Sequence, residues 1–310
     1  MSGDSQTSDA VLLVRPARFA FHPEAAQSNV FASGSAAGDV AALALHEFDS
    51  LWRRLDDAGV ICLVLDDLPD PATPDAVFPN NWVTFHADGT MILYPMATAA
   101  RRLERRPDEL ESLLGDHGFI IRRVVDLSHF EQDGLFLEGT GSLVLDRPGR
   151  KAFAALGPRT DAAVIDAFDS ETGFETLDFS AADRSGRPIY HTNVLLSLGS
   201  RYAILCTEAV APADRARLIA AIEAGGREII DVGFDQMEQF ACNAIELKRA
   251  DGRPLVALSS AALESLSAAQ AQQLATLGGD LIDVAIPTIE RVGGGSVRCM
   301  IVDVHLPHGT

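Results

Sequence analysis

The sequence predicts an α/β fold in which one unit, a β-hairpin followed by a helix and a strand, recurs around a ring. Two observations lead to this prediction. Strands that end in aspartate recur at intervals of 52, 53 and 52 residues, and the residues that open the hairpins recur with the same period. A period near 50 residues is typical of propellers and other repeat arrays. We therefore expect a single pseudo-symmetric domain that spans residues 1–310. The aspartates are Asp126, Asp178, Asp231 and Asp283.

The N-terminal part predicts a strand, a long connection and a helix. Residues 10–19 are apolar and strand-like, and residues 40–58 carry apolar side chains at helical spacing. Gly59 ends the helix, as glycine commonly does. Residues 21–39 are rich in Ser, Gly and Asn and too long for a simple turn, so the alternatives are a lid over a site and a disordered segment.

Four complete units follow, each with a hairpin, a helix and a strand. Two strands are left over: residues 10–19 and residues 299–305. If they pair, they form the fifth hairpin and close the ring, which removes exposed sheet edges. The predicted helices of the four units are 99–115, 160–168, 212–224 and 261–277.

Composition excludes several classes of function. The chain is 47% hydrophobic, as a globular protein is, and its net charge of −19 disfavours binding to nucleic acid and to anionic membranes. Its four cysteines include no CxxC pair, so we expect no metal site and a reducing compartment. We also expect that the protein uses no cofactor. The polar start and the lack of a long apolar run predict a cytoplasmic protein. We expect residues 1–9 to be disordered.

The stretch GGGSVRCM, residues 293–300, is the first candidate for chemistry. Its glycines allow a ligand to approach the backbone closely, and Cys299 follows beside Arg298 at the mouth of a predicted strand. The thiolate is the attacking form of cysteine, and a neighbouring cation stabilises it. A small buried hydrophobic residue is the alternative interpretation of an isolated cysteine.

The repeat strengthens the catalytic interpretation. Glu138 and His191 open successive hairpins 53 residues apart, and Cys299 lies in the corresponding stretch of the fifth unit. Residues at one phase of a ring converge, so a thiol nucleophile, an imidazole that moves protons and a carboxylate would meet at one place. The alternatives are a core histidine and a carboxylate that only bonds turn amides.

These motifs resemble the pentein, or guanidino-group-modifying, superfamily. The resemblance covers essentially the whole chain and implies a five-bladed α/β propeller with the active site on its axis. Within it, the chain looks closest to citrulline utilisation hydrolases, often described as arginine-deiminase-related or amidinotransferase-like. The segments that carry the resemblance are VRPARFAFHPEAAQSNVF, FPNNWVTFHADGT, LEGTGSLVLDR, GPRTD, YHTNV, ACNAIEL and GGGSVRCM.

The resemblance implies a role for each matching residue. Cys299 matches the nucleophile, His191 the general acid and base, and Glu138 the carboxylate that holds the substrate's nitrogens. Arg159, in GPRTD, matches an arginine that binds the substrate's α-carboxylate, a contact suited to a planar fork of donors. We also expect Asn81, His86, Asn193 and Gly295 to bind substrate.

Two departures from arginine deiminases concern the substrate's charge. Those enzymes carry aspartates where this chain has His86 and Asn193. A buried guanidinium without a counter-charge is costly, whereas an amide can bind a neutral ureido group. The sequence thus predicts hydrolysis of citrulline to ornithine, ammonia and carbon dioxide. The alternatives are hydrolysis of arginine or dimethylarginine, then amidino transfer, then a non-catalytic binding protein. We expect a small amino acid as partner and leave open a homo-oligomer.

Overall fold

The computed structural model describes residues 4–34 and 38–309. Residues 4–9, part of the N-terminus that we expected to be disordered, are among the described residues. The side chain of Gln6 donates a hydrogen bond to the carbonyl of Leu145 (2.9 Å) and accepts one from the backbone of Arg147 (3.0 Å). Residues 1–3, to which the expectation also applied, lie outside the described residues.

The described residues contain fifteen strands in five three-stranded sheets. The sheet orders are β15-β1-β2, β3-β4-β5, β6-β7-β8, β9-β10-β11 and β12-β13-β14. The strands are β1 (Ala10–Arg15), β2 (Ile61–Asp66), β3 (Val83–Phe85), β4 (Thr90–Leu93), β5 (Arg123–Asp126), β6 (Val144–Asp146), β7 (Lys151–Leu156), β8 (Glu175–Ser180), β9 (Leu196–Leu198), β10 (Tyr202–Leu205), β11 (Glu228–Asp231), β12 (Ile245–Lys248), β13 (Pro254–Ser259), β14 (Asp280–Val284) and β15 (Val302–Asp303).

Each sheet has the predicted composition of an antiparallel pair and a third, parallel strand. In the last sheet, β13 is antiparallel to β12 and parallel to β14, which is reached through helices, as parallel strands require. The first sheet joins the two ends of the chain. Val11 of β1 lies opposite Asp303 of the antiparallel β15, while Ala10 pairs with Ile61 of the parallel β2. The predicted pairing of the terminal strands is therefore present.

Ten α-helical segments and six short 3₁₀ helices connect the strands in the described residues. The α-helices are α1 (Val40–Asp57), α2 (Pro107–Asp116), α3 (Gly139–Ser142), α4 (Ala162–Thr172), α5 (Pro212–Ala224), α6 (Phe234–Met237), α7 (Ser260–Ser265), α8 (Ala268–Gly278), α9 (Pro287–Gly293) and α10 (Val297–Met300). The 3₁₀ helices are Ala25–Gln27, Pro79–Asn81, Ala99–Glu104, Ser128–Asp133, Thr192–Val194 and Thr207–Ala209. None of the helices in the described residues is long and apolar enough to cross a membrane.

Local chemistry explains where the helices depart from prediction. The predicted helix 99–115 is divided because Pro107 lacks a backbone N–H and starts a new helix. The predicted helix 261–277 is divided at Ser267, whose side chain accepts a hydrogen bond from the backbone N–H of Gln270. The predicted strand 299–305 was wrong at its start, since Cys299 lies in the single turn α10 and the strand begins at Val302.

The buried apolar residues form four clusters, and each cluster packs between sheets. One lies between the first and second sheets, one between the second and third, and one between the last and the first. The largest fills the space among the third, fourth and fifth sheets. Because apolar burial dominates folding free energy, every sheet is held by apolar packing against two others.

Candidate active site

Short helical turns at the start of each hairpin bring the candidate residues together. Glu138 immediately precedes α3, and His191 immediately precedes the 3₁₀ helix Thr192–Val194. Asn81 ends the 3₁₀ helix Pro79–Asn81, and Cys299 lies in α10. Asn81, His191 and Cys299 line one small cavity. The convergence expected from the repeat phase is therefore present for these residues.

Two asparagines hold the sulfur of Cys299. The side chain of Asn243 donates to Sγ over 3.2 Å and that of Asn193 over 3.4 Å. Asn243 also accepts a hydrogen bond from the backbone N–H of Cys299 (3.3 Å), so its amide orientation is fixed. Both amides are donors to sulfur, and donors stabilise the thiolate. The guanidinium of Arg298, which the sequence placed beside the thiol, instead bonds Asp303 (3.3 Å).

Glu138 and His191 form a fully buried pair. His191 Nε2 lies 2.8 Å from Glu138 Oε2, and the guanidinium of Arg159 donates to the same oxygen over 3.3 Å. The other carboxylate oxygen accepts from the backbone N–H of Ala97 (3.0 Å). Both carboxylate oxygens thus accept hydrogen bonds, and the contact with Oε2 orients the imidazole.

The two members of this pair differ in charge at neutral pH, because their surroundings shift their pKa values. Burial by itself raises the pKa of Glu138, but Arg159, the His191 hydrogen bond and Arg101 together lower it well below its usual range. Burial lowers the pKa of His191 to about 4, although Glu138 opposes this shift. At neutral pH the carboxylate is therefore ionised and the imidazole neutral. Because Nε2 must donate to the carboxylate, the free lone pair of the imidazole is on Nδ1.

Charged and polar residues that the sequence analysis missed complete the cavity. Its lining includes Asp75, Arg101, Asn29 and Tyr190. Asp75 is buried and lies 2.8 Å from His22 Nδ1, and Tyr190 donates to the carbonyl of Gly294 (2.7 Å). Neither Asp75 nor Arg101 occupies the position in the repeat unit that His191 occupies, so the repeat could not predict that they line the cavity. Asn243 does share the phase of His191, 52 residues away, and this signal could have identified it.

Residues 21–34 belong to the segment 21–39, for which a lid was one expectation, and some of them border the cavity; residues 35–37 lie outside the described residues. Arg159 donates to the carbonyl of Ala25 (2.7 Å) and to the hydroxyl of Ser28 (2.9 Å). Asn29 donates to the carbonyls of Gly293 and Gly294, 3.1 Å from each. The cavity has a volume of about 20 Å³, which is room for about one water molecule.

The glycine run leaves no room for side chains. A Cβ at Gly295 would lie 2.9 Å from the ring of Phe78 and 3.3 Å from Cβ of Cys299, and Gly294 has a positive φ of 66°. The backbone of this run lines the cavity, as the sequence predicted for Gly295.

His86 is not part of this cavity, contrary to the sequence prediction. Its Nε2 lies 3.0 Å from the hydroxyl of Thr84, and its ring packs against Phe168 and Phe174. The physical reason is the strand β3, which has three residues and carries the chain about 10 Å from Asn81 to the hairpin turn. The histidine lies at that turn and is buried as a neutral group, since burial lowers its pKa to about 3.

The described residues contain no group of three His, Cys, Asp or Glu side chains arranged to hold a metal ion. The side chains in and beside the cavity supply several reactive and charged groups. These are a thiol held by two amide donors, a neutral imidazole oriented by a carboxylate, and buried charges of both signs.

Comparison with known proteins identifies relatives of this arrangement. The sequence profile of the family described as N,N dimethylarginine dimethylhydrolase, eukaryotic, matches residues 15–306. No curated protein sequence matches the chain.

Several solved structures share the fold. The arginine dihydrolase ArgZ of cyanobacteria has a TM-score of 0.75 and 19% identity, over 97% of this chain and 42% of that one. Its N-terminal domain, bound to substrate, has a TM-score of 0.73 and 18% identity, over 95% of this chain and 97% of that one. A dimethylarginine dimethylaminohydrolase in an adduct with S-methyl-L-thiocitrulline has a TM-score of 0.65 and 16% identity, over 96% and 99%. This chain thus spans less than half of full-length ArgZ.

Proposed function

Because this chain belongs to the N,N dimethylarginine dimethylhydrolase family, we propose that it hydrolyses a carbon–nitrogen bond in the guanidino group of arginine or of an N-methylated arginine. The predicted membership of the pentein superfamily, and the predicted class of hydrolases that act on non-peptide carbon–nitrogen bonds, are confirmed. One observation supports the proposal most directly. Cys299 and His191 line the same cavity, and the ionised Glu138 orients the imidazole of His191.

The cavity contains a carboxylate that the argument for a neutral substrate did not consider, beside the guanidinium groups of Arg101 and Arg159. That expectation depended on two missing aspartates, and one of the two positions, His86, lies outside the cavity. Asp75, which the sequence analysis did not consider, places a buried carboxylate in the cavity lining. A buried cation is tolerated when an anion pairs with it. Asp75 is therefore suited to bind a cationic group of the substrate.

The proposed reaction proceeds through a covalent intermediate. Cys299 gives its thiol proton to His191 and attacks the guanidino carbon as the thiolate. His191 then passes this proton to the departing nitrogen, whose bond to the carbon breaks, and ammonia or, from a methylated substrate, an amine leaves. Water then attacks the same carbon and gives its proton to His191, and the carbon–sulfur bond breaks to restore the thiolate. Overall, substrate and water give citrulline and ammonia or the amine. Backbone N–H groups of the glycine run, with Asn243, are suited to stabilise charge that develops at the carbon.

Citrulline is the second candidate substrate, and it is favoured by the amides around the thiol. Asn81, Asn193 and Asn243 place three amide groups within or beside the cavity. Amides donate and accept, as a ureido group does, so the citrulline formed first could undergo a second hydrolysis to ornithine, ammonia and carbon dioxide. The cyanobacterial relatives are described as arginine dihydrolases.

We further propose that the five sheets are the blades of a propeller closed by the pairing of β1 with β15, around an axis that contains the cavity. The apolar clusters between successive sheets support this arrangement. Four expectations stay predictions: a lid formed by residues 21–39, a small amino acid as partner, a cytoplasmic location and a homo-oligomer.

Product analysis tests the proposed function. Purified protein is given arginine, asymmetric dimethylarginine and citrulline separately, and citrulline, ornithine, ammonia and dimethylamine are quantified. Citrulline from either arginine substrate supports the proposal, and ornithine in addition supports the second step. Turnover of citrulline alone would contradict the guanidino assignment and would restore the neutral-tail prediction from the sequence.

A further inference from the structure

A histidine that does not line the cavity holds the carboxylate of Asp75, which does. His22 Nδ1 lies 2.8 Å from Asp75 Oδ2, and the exposed fractions of the two residues are 9% and 4%. Because a carboxylate only accepts hydrogen bonds, Nδ1 is the nitrogen that carries the hydrogen. The two residues lie 53 positions apart in the sequence, so this contact joins the segment 21–39 to the lining of the cavity.

The contact uses only one of the two carboxylate oxygens of Asp75. The guanidinium of Arg101 lies on the same side, with its Nε 4.0 Å from Oδ2. No residue in the described part of the chain donates a hydrogen bond to Oδ1. Both oxygens of a carboxylate can accept hydrogen bonds. Asp75 therefore keeps one oxygen for a ligand in the cavity that it lines.

The backbone around His22 fixes the position of the imidazole. Pro23 restricts the conformation of the residue before it, and the carbonyl of His22 accepts a hydrogen bond from the N–H of Ala26 (3.0 Å). The same turn is held by Arg159, which donates to the carbonyl of Ala25. Ordering a side chain is a cost of binding, so a carboxylate that is already held loses less when it binds a cation.

We propose that His22 is a positioning residue for substrate binding, which holds Oδ2 of Asp75 so that Oδ1 receives the cationic group of the substrate. This proposal rests on the proposed function. His22 acts through Asp75 and not on the substrate itself, because it is not among the residues that line the cavity. Its loss should therefore weaken substrate binding and leave the chemical steps at Cys299 almost unchanged.

Two substitutions of His22 test the hydrogen bond. His22→Leu removes the donor, whereas His22→Asn keeps an N–H donor at the same number of bonds from the backbone as Nδ1. In His22→Leu we expect KM for arginine to rise about fivefold, the effect of one lost hydrogen bond, with kcat within about twofold of wild type. His22→Asn should stay within about twofold of the wild-type KM. The matched control is His117→Leu, because His117 is exposed and bonds the carbonyl of Leu113. It should behave as the wild type.

A double-mutant cycle with Asp75→Asn distinguishes positioning from a merely structural anchor. Asparagine keeps an oxygen that can accept from His22, but it has no charge to offer the substrate. If His22 acts through the carboxylate, His22→Leu should raise KM by less than about twofold more in the Asp75→Asn background. An equal rise of KM in both backgrounds would overturn the proposal, and so would a His22→Asn variant as impaired as His22→Leu.

Calorimetric titration of arginine into Cys299→Ala provides a test that does not depend on turnover. We expect arginine to bind, and its affinity to fall about fivefold when His22→Leu is added. This result together with a wild type that converts none of the three substrates would refute the proposed function alone. Hydrolysis of arginine by the wild type, with an affinity that His22→Leu does not change, would overturn this proposal alone. Arginine that neither binds nor reacts would overturn both.

Discussion

Glu138→Gln is the substitution that tests the charge arrangement of the site most directly. The carboxylate is fully buried, and each of its oxygens accepts from a different donor. Ala97 N–H donates to one oxygen, while His191 Nε2 and Arg159 donate to the other. Glutamine has a single oxygen. In either orientation of the amide, its NH₂ group therefore faces a buried N–H donor.

The expected loss of stability follows from these contacts. Removal of the charge leaves Arg159 without its buried anion, and breaking a buried ion pair costs about 3–5 kcal/mol. A mismatched donor within the pair accounts for about 1–3 kcal/mol of that loss. Because domains are stable by about 5–15 kcal/mol, the variant should remain folded at low temperature with a clearly reduced free energy of unfolding.

Urea unfolding monitored by circular dichroism at pH 7 measures this loss. The control is Glu171→Gln, the same substitution in an exposed ion pair with Arg123, which should cost no more than about 1 kcal/mol. The pKa of Glu138 is lowered in the folded state, so its contribution exists above the unfolded pKa and is lost as pH falls. The difference from wild type should therefore shrink below about pH 4. A loss at pH 7 equal to that of the control would refute an ionised, paired Glu138.

Three further predictions concern single side chains. Cys299→Ala should abolish turnover and adduct formation but change the free energy of unfolding by only about 1 kcal/mol; product release by this variant would contradict the assignment of the nucleophile. Asp75→Asn should raise KM for arginine about tenfold, by loss of a charge-assisted contact, with less effect on kcat, and steady-state kinetics with an unchanged KM would refute a substrate-binding role. His86→Asn should leave turnover at pH 7 unchanged, because the histidine lies outside the cavity. Since burial lowers the pKa of His86 to about 3, the unfolded chain binds a proton that the folded one does not between pH 6.5 and 3, and stability falls as pH falls. The variant should lose that slope, roughly 1.4 kcal/mol per pH unit, in unfolding experiments across this range, whereas an unchanged slope would contradict a neutral, buried His86.

Most of the sheet architecture was predictable because the chain repeats itself. A period of 52 to 53 residues places equivalent residues at equivalent points of each unit, so five sheets and the pairing of the chain ends followed from position alone. The same period brought Glu138, His191 and Cys299 together, since residues at one phase of a repeat converge. Apolar spacing identified helix α1, and the boundaries of α5 matched because Pro212 marks its first turn.

Two predictions failed, the position of His86 and the secondary structure at Cys299, because each depends on the backbone path over only a few residues. His86 was assigned to the site because it follows a motif, but three strand residues separate it from Asn81 and carry it to the far end of the hairpin. The thiol was placed on a strand because the run after it is apolar. In the structure a single helical turn, Val297–Met300, precedes the strand, and Cys299 in this turn lines the cavity.

The sequence by itself determined the repeat and the pairing of the first and last strands. It also determined that a carboxylate, an imidazole and a thiol occupy equivalent positions in the repeat. These features depend only on the order and spacing of residues along the chain. Only the tertiary structure decided which charges meet. Asp75 and Arg101 reach the cavity from outside the repeat phase, and the direction of the Asn81 amide depends on Arg101, 20 residues away. Protonation and amide orientation are set by burial and by donors from distant segments, and no local pattern encodes these.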